Sequence, residues 1–205
     1  LGTRYSVLFT VVMFSSLIRC PVCRERASSS LGCCQACADE LFQVVIREDL
    51  IVLGVYSGRL ERAVRAFKFH GTTRLSKLFG EQLAKAVKKS SWQIDALCPV
   101  PLHWTRRLER GYNQSALLGK HIAKQTALPY APYLRRVKRT QQQAKLGKLE
   151  RLSNVEDAFV SKPCKGTILL IDDVITSGAT TRACVRALLG AGANEVKVAA
   201  IARAK

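Results

Sequence analysis

Short apolar runs and longer amphipathic stretches alternate along most of this chain. "LFQVVI" and "LIVLGVYSG", starting at Leu41 and Leu50, read as β-rich segments, and "GRLERAVRAFKFHG" as a helix closed by Gly71. In "RLSKLFGEQLAKAVKK" the residues Leu75, Leu78, Phe79, Leu83, Ala86 and Val87 share one face, as in a helix packed on a sheet. "IDALCPVP" predicts a short buried strand ended by Pro99 and Pro101, and a helix is expected from about Tyr112 to Lys124. "TILLID" is the next strand, "TTRACVRALLGAG" a helix with Gly190 and Gly192 at its end, and "EVKVAAIA" the last strand. Strand and helix alternate, so the core is α/β with a largely parallel sheet. At 205 residues the chain has room for one good core and a small appendage.

The N-terminal quarter breaks that pattern. Five cysteines, Cys20, Cys23, Cys33, Cys34 and Cys37, fall in "CPVC" and "CCQAC". Paired C-x-x-C knuckles build a tetrahedral zinc site, because each short turn aims two thiolates at one ion. Cys20, Cys23, Cys34 and Cys37 are therefore assigned as Zn2+ ligands, in preference to disulfides or unligated thiols. Cys33 is one thiol too many and competes with Cys34. Cys98, Cys164 and Cys184 lie in apolar contexts and read as small core residues. A thiolate site beside free core cysteines indicates a reducing compartment, so the expected location is the cytoplasm. Ahead of the knuckles, "YSVLFTVVMFSSLI" at 5–18 is apolar but shorter than the roughly 20 residues a membrane-spanning helix needs. It reads as a packed amphipathic or buried segment. The alternative, a signal peptide, lacks a small-residue cleavage pattern at "LIRC".

Charge changes the picture next. With 33 Lys and Arg against 15 Asp and Glu, the net charge is +18, which favours polyanionic partners or phosphorylated substrates without choosing between them. Seven cations, Arg135, Arg136, Lys138, Arg139, Lys145, Lys148 and Arg151, crowd into 135–151 against the single acid Glu150. Arg59, Arg62, Arg65 and Lys68 recur every three residues along one helical face. Each group reads either as an anion-binding surface or as a solvated basic face.

The most informative stretch is "ILLIDDVITSGATTR" at 168–182, where an apolar strand runs into Asp172 and Asp173 just before a small-residue loop. In open α/β sheets ligands sit beyond the carboxyl ends of strands. Thr176, Ser177, Gly178, Ala179 and Thr180 supply hydroxyls and closely spaced backbone N–H groups at a helix start, which suits a phosphate. Two adjacent carboxylates would repel that phosphate unless they face sugar hydroxyls or a divalent cation. Together they describe a ribose 5-phosphate. A strand ending in acids that merely cap the next helix is the alternative for any one of these residues, but not for the ordered set.

"LLIDDVITSGAT" resembles the motif by which the type I phosphoribosyltransferase family binds phosphoribosyl pyrophosphate (PRPP), with the acids on the ribose hydroxyls and the loop on the 5-phosphate. Both knuckles, "YSGRLERAVRAFKFHG", "VPLHWTRRLERGYNQS" and "LRRVKRTQQQAKLGKLERLSNVEDAF" resemble one branch of it, the ComF/GntX-type family associated with DNA uptake. The resemblance implies a type I phosphoribosyltransferase fold, a mostly parallel sheet flanked by helices, with a small N-terminal zinc ribbon. Residues 1–48 would carry the ribbon and 49–205 the phosphoribosyltransferase-like domain. It implies PRPP with Mg2+ as ligand and places the loop at about Val100 to His103 near the pyrophosphate. Arg107, Arg110 and Asn113 then become candidates for that anion, and 138–153 for a hood that closes over it. Lys68 falls in a family motif without an assigned role, and none of His70, His103 and His121 is assigned to catalysis. Three functions are compatible: transfer of phosphoribosyl to an acceptor, with Asp172 and Asp173 in the catalytic site; sensing of PRPP without turnover; and binding of single-stranded DNA or DNA-uptake proteins.

Overall fold

The computed structural model describes residues 19–25, 33–69, 71, 73–102, 108–137 and 158–205 of the chain. The elements are α1 (Gln35–Glu40), β1 (Val45–Ile46), β2 (Leu50–Val52), α2 (Gly58–Phe69), α3 (Leu75–Lys89), β3 (Ala96–Pro99), α4 (Gln114–Thr126), β4 (Leu134–Arg136), β5 (Phe159–Ser161), β6 (Thr167–Ile175), α5 (Ala179–Gly190) and β7 (Glu195–Arg203). Five strands form one sheet in the order β1-β2-β7-β6-β3, parallel except for β1.

The near-continuous apolar runs of β6 and β7 follow from their central place, since a strand covered on both faces has no polar side to alternate with. Successive residues nevertheless serve different layers. Leu169 and Ile171 join Phe67 on α2, Phe79 and Leu83 on α3, and Leu118 and Ile122 on α4 in one buried cluster. Ile168 and Leu170 join Cys98, Ala183, Cys184 and Leu188 on the α5 side in another. All six residues expected to share the face of α3 are buried. Phe79 stands at its centre, with ring centroids 5.8 Å from Phe67 and 6.1 Å from Phe42.

Helix ends show how the chain is punctuated. The Asn113 side chain accepts the Ala116 amide and starts α4 two residues later than the apolar pattern suggests, and Ala127 ends it at φ 59°. Gly71, at φ 62°, follows α2 where a stop is expected.

Two features beyond the sequence reading matter for the site. The strand expected to stop at Asp172 continues to Ile175, because its ladder with β7 runs on through Val174–Ala202 and Ile175–Arg203. Both acids therefore lie inside a strand. The basic stretch beginning at Arg135, which shows no clear apolar face in the sequence, starts with β4, which pairs antiparallel with β5. Among the described residues, no helix is long and apolar enough to cross a membrane.

Candidate functional site

A cleft of about 190 Å³ opens beyond the carboxyl ends of β3 and β6. Its walls bring together Asp172, Asp173, Thr176, Gly178, Thr180 and Arg110 of the expected set, together with Val100, Pro101 and Leu102 from the loop after β3. Ser177 and Ala179 belong to the same turn but do not line the cleft. The Ser177 hydroxyl accepts the Ala179 amide at 3.4 Å and its carbonyl accepts Arg182 Nη1 at 3.0 Å, which shapes the turn from within. Gly178 stands at φ 73° as the N-cap of α5, a left-handed conformation that glycine enters without strain. Asn113 also lies off the cleft. Besides capping α4 it donates to the Val100 carbonyl at 3.0 Å, and so ties the loop after β3 to α4. Arg107, His70, His103 and the expected hood at 138–153 lie outside the described residues. His121 is hydrogen-bonded to Ser76 at 3.1 Å between α4 and α3, away from the cleft.

Lys68, Ser115, Arg136 and Thr181 also line the cleft. Lys68, on the last turn of α2, pairs with Asp173 at 3.0 Å with only 15% of its side chain exposed. Ser115, on the first turn of α4, donates to Asp172 at 3.4 Å. Arg110 stacks on Phe69 at 4.9 Å and donates to Gln114, and Arg136 stacks on Phe159 at 5.4 Å. The family motif around Lys68 and its place in the basic face of Arg59, Arg62 and Arg65 were the sequence signals for that residue. Ser115 carried none, because a serine at a helix start is ordinary.

Both acids are buried and both line the cleft, Asp173 against Lys68 of α2 and Asp172 against Ser115 of α4. Burial first, and the charge of Asp173 second, raise the Asp172 carboxyl from 3.8 to about 7, against the opposing pull of the Asp173 amide, Lys68 and Ser115. The cleft thus joins two neighbouring carboxyl groups, an amine, two guanidinium groups and a glycine-bearing turn at a helix start. That set suits a ligand with both hydroxyls and phosphate groups.

The cysteine knuckles form a second centre. The sulfur atoms of Cys20, Cys23, Cys34 and Cys37 all lie within 4.8 Å of one another, and Cys23 and Cys34 approach to 3.5 Å. A tetrahedral site with Zn–S bonds of about 2.3 Å has S–S edges of about 3.8 Å, so the four thiols fit a zinc ribbon. The Val22 and Cys34 amides each donate to Cys20 Sγ at 3.4 Å. Cys33 is fully buried outside this quartet, and burial raises its thiol to about 11. Arg62 Nε donates to the Val22 carbonyl at 2.8 Å and fastens the first knuckle to α2. Cys98, Cys164 and Cys184 are buried core residues, and burial raises the thiols of Cys98 and Cys184.

The phosphoribosyl transferase domain model matches residues 113–205. Over 195 residues the chain is 30% identical to competence protein F of Haemophilus influenzae, covering 90% of this chain and 85% of that protein. Over 182 residues it is 30% identical to competence protein ComFC of Bacillus subtilis, covering 84% and 72%. Over 192 residues it is 28% identical to the DNA utilization protein YhgH of Escherichia coli K12, covering 90% and 83%.

Proposed function

The chain belongs to the family of competence proteins F and ComFC, and from that premise we propose that it binds PRPP with Mg2+ and transfers the phosphoribosyl group to a nitrogen acceptor with release of pyrophosphate. The observation that supports this best is the meeting of the carboxylate pair and the 176–180 turn in one cleft at the strand ends. In this reading Asp172 and Asp173 take the ribose hydroxyls, and Thr176, Ser177, Gly178, Ala179 and Thr180 take the 5-phosphate through hydroxyls and backbone amides. Arg110 and Arg107 meet the pyrophosphate. Asn113 acts on that anion indirectly, by holding the loop at Val100.

The bond that breaks is C1–O to pyrophosphate, and C1 gains oxocarbenium character as the leaving group departs. Such a reaction depends on positioning and on charge neutralisation more than on a general base. Mg2+ accompanies the substrate, where the hard carboxylate oxygens suit it and its charge offsets that of the pyrophosphate. Residues 1–48 are proposed as the N-terminal segment that carries the ribbon, with structural Zn2+ on Cys20, Cys23, Cys34 and Cys37, and 49–205 as the phosphoribosyltransferase-like domain. The protein is proposed to work in the cytoplasm in DNA uptake, a role suggested by the names of its relatives and by a net charge of +18.

Calorimetry with PRPP and Mg2+ tests the site. Replacing Asp172 and Asp173 together by alanine should abolish binding while leaving metal content and fold intact, and unchanged affinity would sink the assignment. A screen of bases and amines for pyrophosphate release then separates a transferase from a sensor, which binds PRPP and releases nothing.

A further inference from the structure

The two acids of the cleft are gripped in the same way. Asp172 Oδ1 accepts the Asp173 amide at 2.8 Å and the Ser115 hydroxyl at 3.4 Å. Asp173 Oδ1 accepts the Val174 amide at 2.6 Å and the Lys68 ammonium at 3.0 Å. Each carboxylate is thus anchored through one oxygen, by the backbone of the next residue and by one side chain from a helix. Oδ2 of each has no partner among the described residues. A carboxylate offers about four acceptor directions, two on each oxygen, so anchoring through Oδ1 leaves the Oδ2 pair for a ligand.

Lys68 is the costly member of this arrangement. Lysine ordinarily stays hydrated, yet here it is 15% exposed against a carboxylate 13% exposed, so both charges have given up most of their water. The Lys68 charge also opposes the upward drift of the Asp172 carboxyl. Ser115, a neutral donor, opposes it too through its hydrogen bond, but less than Lys68 does.

We infer that Lys68, assisted by Ser115, positions the acidic pair for a vicinal diol, so that the cleft separates ribose phosphates from 2-deoxyribose phosphates. The inference rests on the PRPP reading and adds to it a positioning residue and a specificity. Two carboxylate oxygens held at neighbouring strand positions each take one hydroxyl proton. Removing the 2-hydroxyl leaves one largely desolvated acceptor unpaired, and sites built to bond a hydroxyl reject analogues lacking it strongly. A carboxylate freed from Lys68 can swing toward the remaining hydroxyl or toward solvent, and the penalty for the deoxy sugar then shrinks.

The test is calorimetric titration of the full metal-loaded chain with ribose 5-phosphate and 2-deoxyribose 5-phosphate. The intact protein should prefer the ribose form by about tenfold or more, the worth of one good hydrogen bond to a charged group. Lys68→Met should bring the ratio of the two affinities close to one, Lys68→Arg should keep most of it, and Ser115→Ala should reduce it less. A purely structural or purely electrostatic role for Lys68 would weaken both sugars alike and leave the ratio unchanged. Lys68→Gln carries the same expectation should the methionine variant fold poorly. An undiminished ratio in Lys68→Met or Lys68→Gln overturns the inference and leaves the PRPP reading standing. So does an intact protein that binds both sugars equally. An intact protein that binds neither these sugars nor PRPP overturns both.

Discussion

Replacing Asp172 by asparagine should stabilise the fold and disable the site at once. Asp172 is buried, and its carboxyl is raised from 3.8 to about 7, chiefly by that burial and then by the charge of Asp173. A carboxyl with a higher pKa in the folded chain than in the unfolded one binds its proton more readily when folded. Stability therefore falls as the pH rises from about 4, where the unfolded chain ionises, to about 7, where the folded one does. At about 1.4 kcal/mol per pH unit the full effect is on the order of 4 kcal/mol, of which about 2 to 3 develops between pH 5 and pH 8. Asparagine keeps an acceptor for Ser115 and for the Asp173 amide but carries no charge to desolvate. Asp172→Asn should thus melt several degrees above the parent at pH 8, at roughly 2–4 °C per kcal/mol for a chain of this size, with a smaller margin at pH 5. The assay is the difference in melting temperature between the two proteins across that range, in which titrating groups that do not interact with Asp172 cancel. A margin independent of pH, or a variant less stable at pH 8, would refute the assignment of a strained, buried carboxylate. The same variant should lose PRPP affinity, since a site held at the expense of stability is what ligand binding requires here.

Three more expectations can be checked directly. Cys34→Ser should lose most of the roughly one zinc ion expected per chain while Cys33→Ser keeps it, as read by metal analysis of protein purified under reducing conditions. Phe79→Ala removes a fully buried ring packed against Phe67 and Phe42 and should cost about 3–5 kcal/mol in chemical denaturation. If the cations of 135–151 bind nucleic acid, affinity for single-stranded DNA should fall steeply with salt, and neutralising those seven residues should flatten the salt dependence.

The parts of the fold that were legible in the chain are those written in local patterns. The continuous apolar runs of β6 and β7, the single face of α3 and the two cysteine knuckles each declare themselves within a few residues, because burial and metal geometry impose a short period or spacing. The pairing of β4 with β5 was not legible. Each is three residues long, and their partnership depends on contacts between segments separated by the whole basic stretch. The end of β6 was misplaced for a related reason: polar residues after Ile171 suggest a loop, but a register of hydrogen bonds with β7 carries the strand on past them.

The sequence by itself determined the kinds of chemistry present: four thiols spaced for one zinc ion, and an acid pair followed by a turn fit for phosphate. Local spacing is enough to name both, because each knuckle and the run from the acids into the turn hold their groups within a few residues of one another. Only the tertiary structure decided which oxygen of each acid is held and by what. Lys68 and Ser115 come from α2 and α4, helices whose places are set by burying Phe67, Leu118 and Ile122 against Leu169 and Ile171 of the sheet. A contact that depends on where apolar faces come to rest has no local signature, and so the anchoring of the carboxylates appears only once the chain is folded.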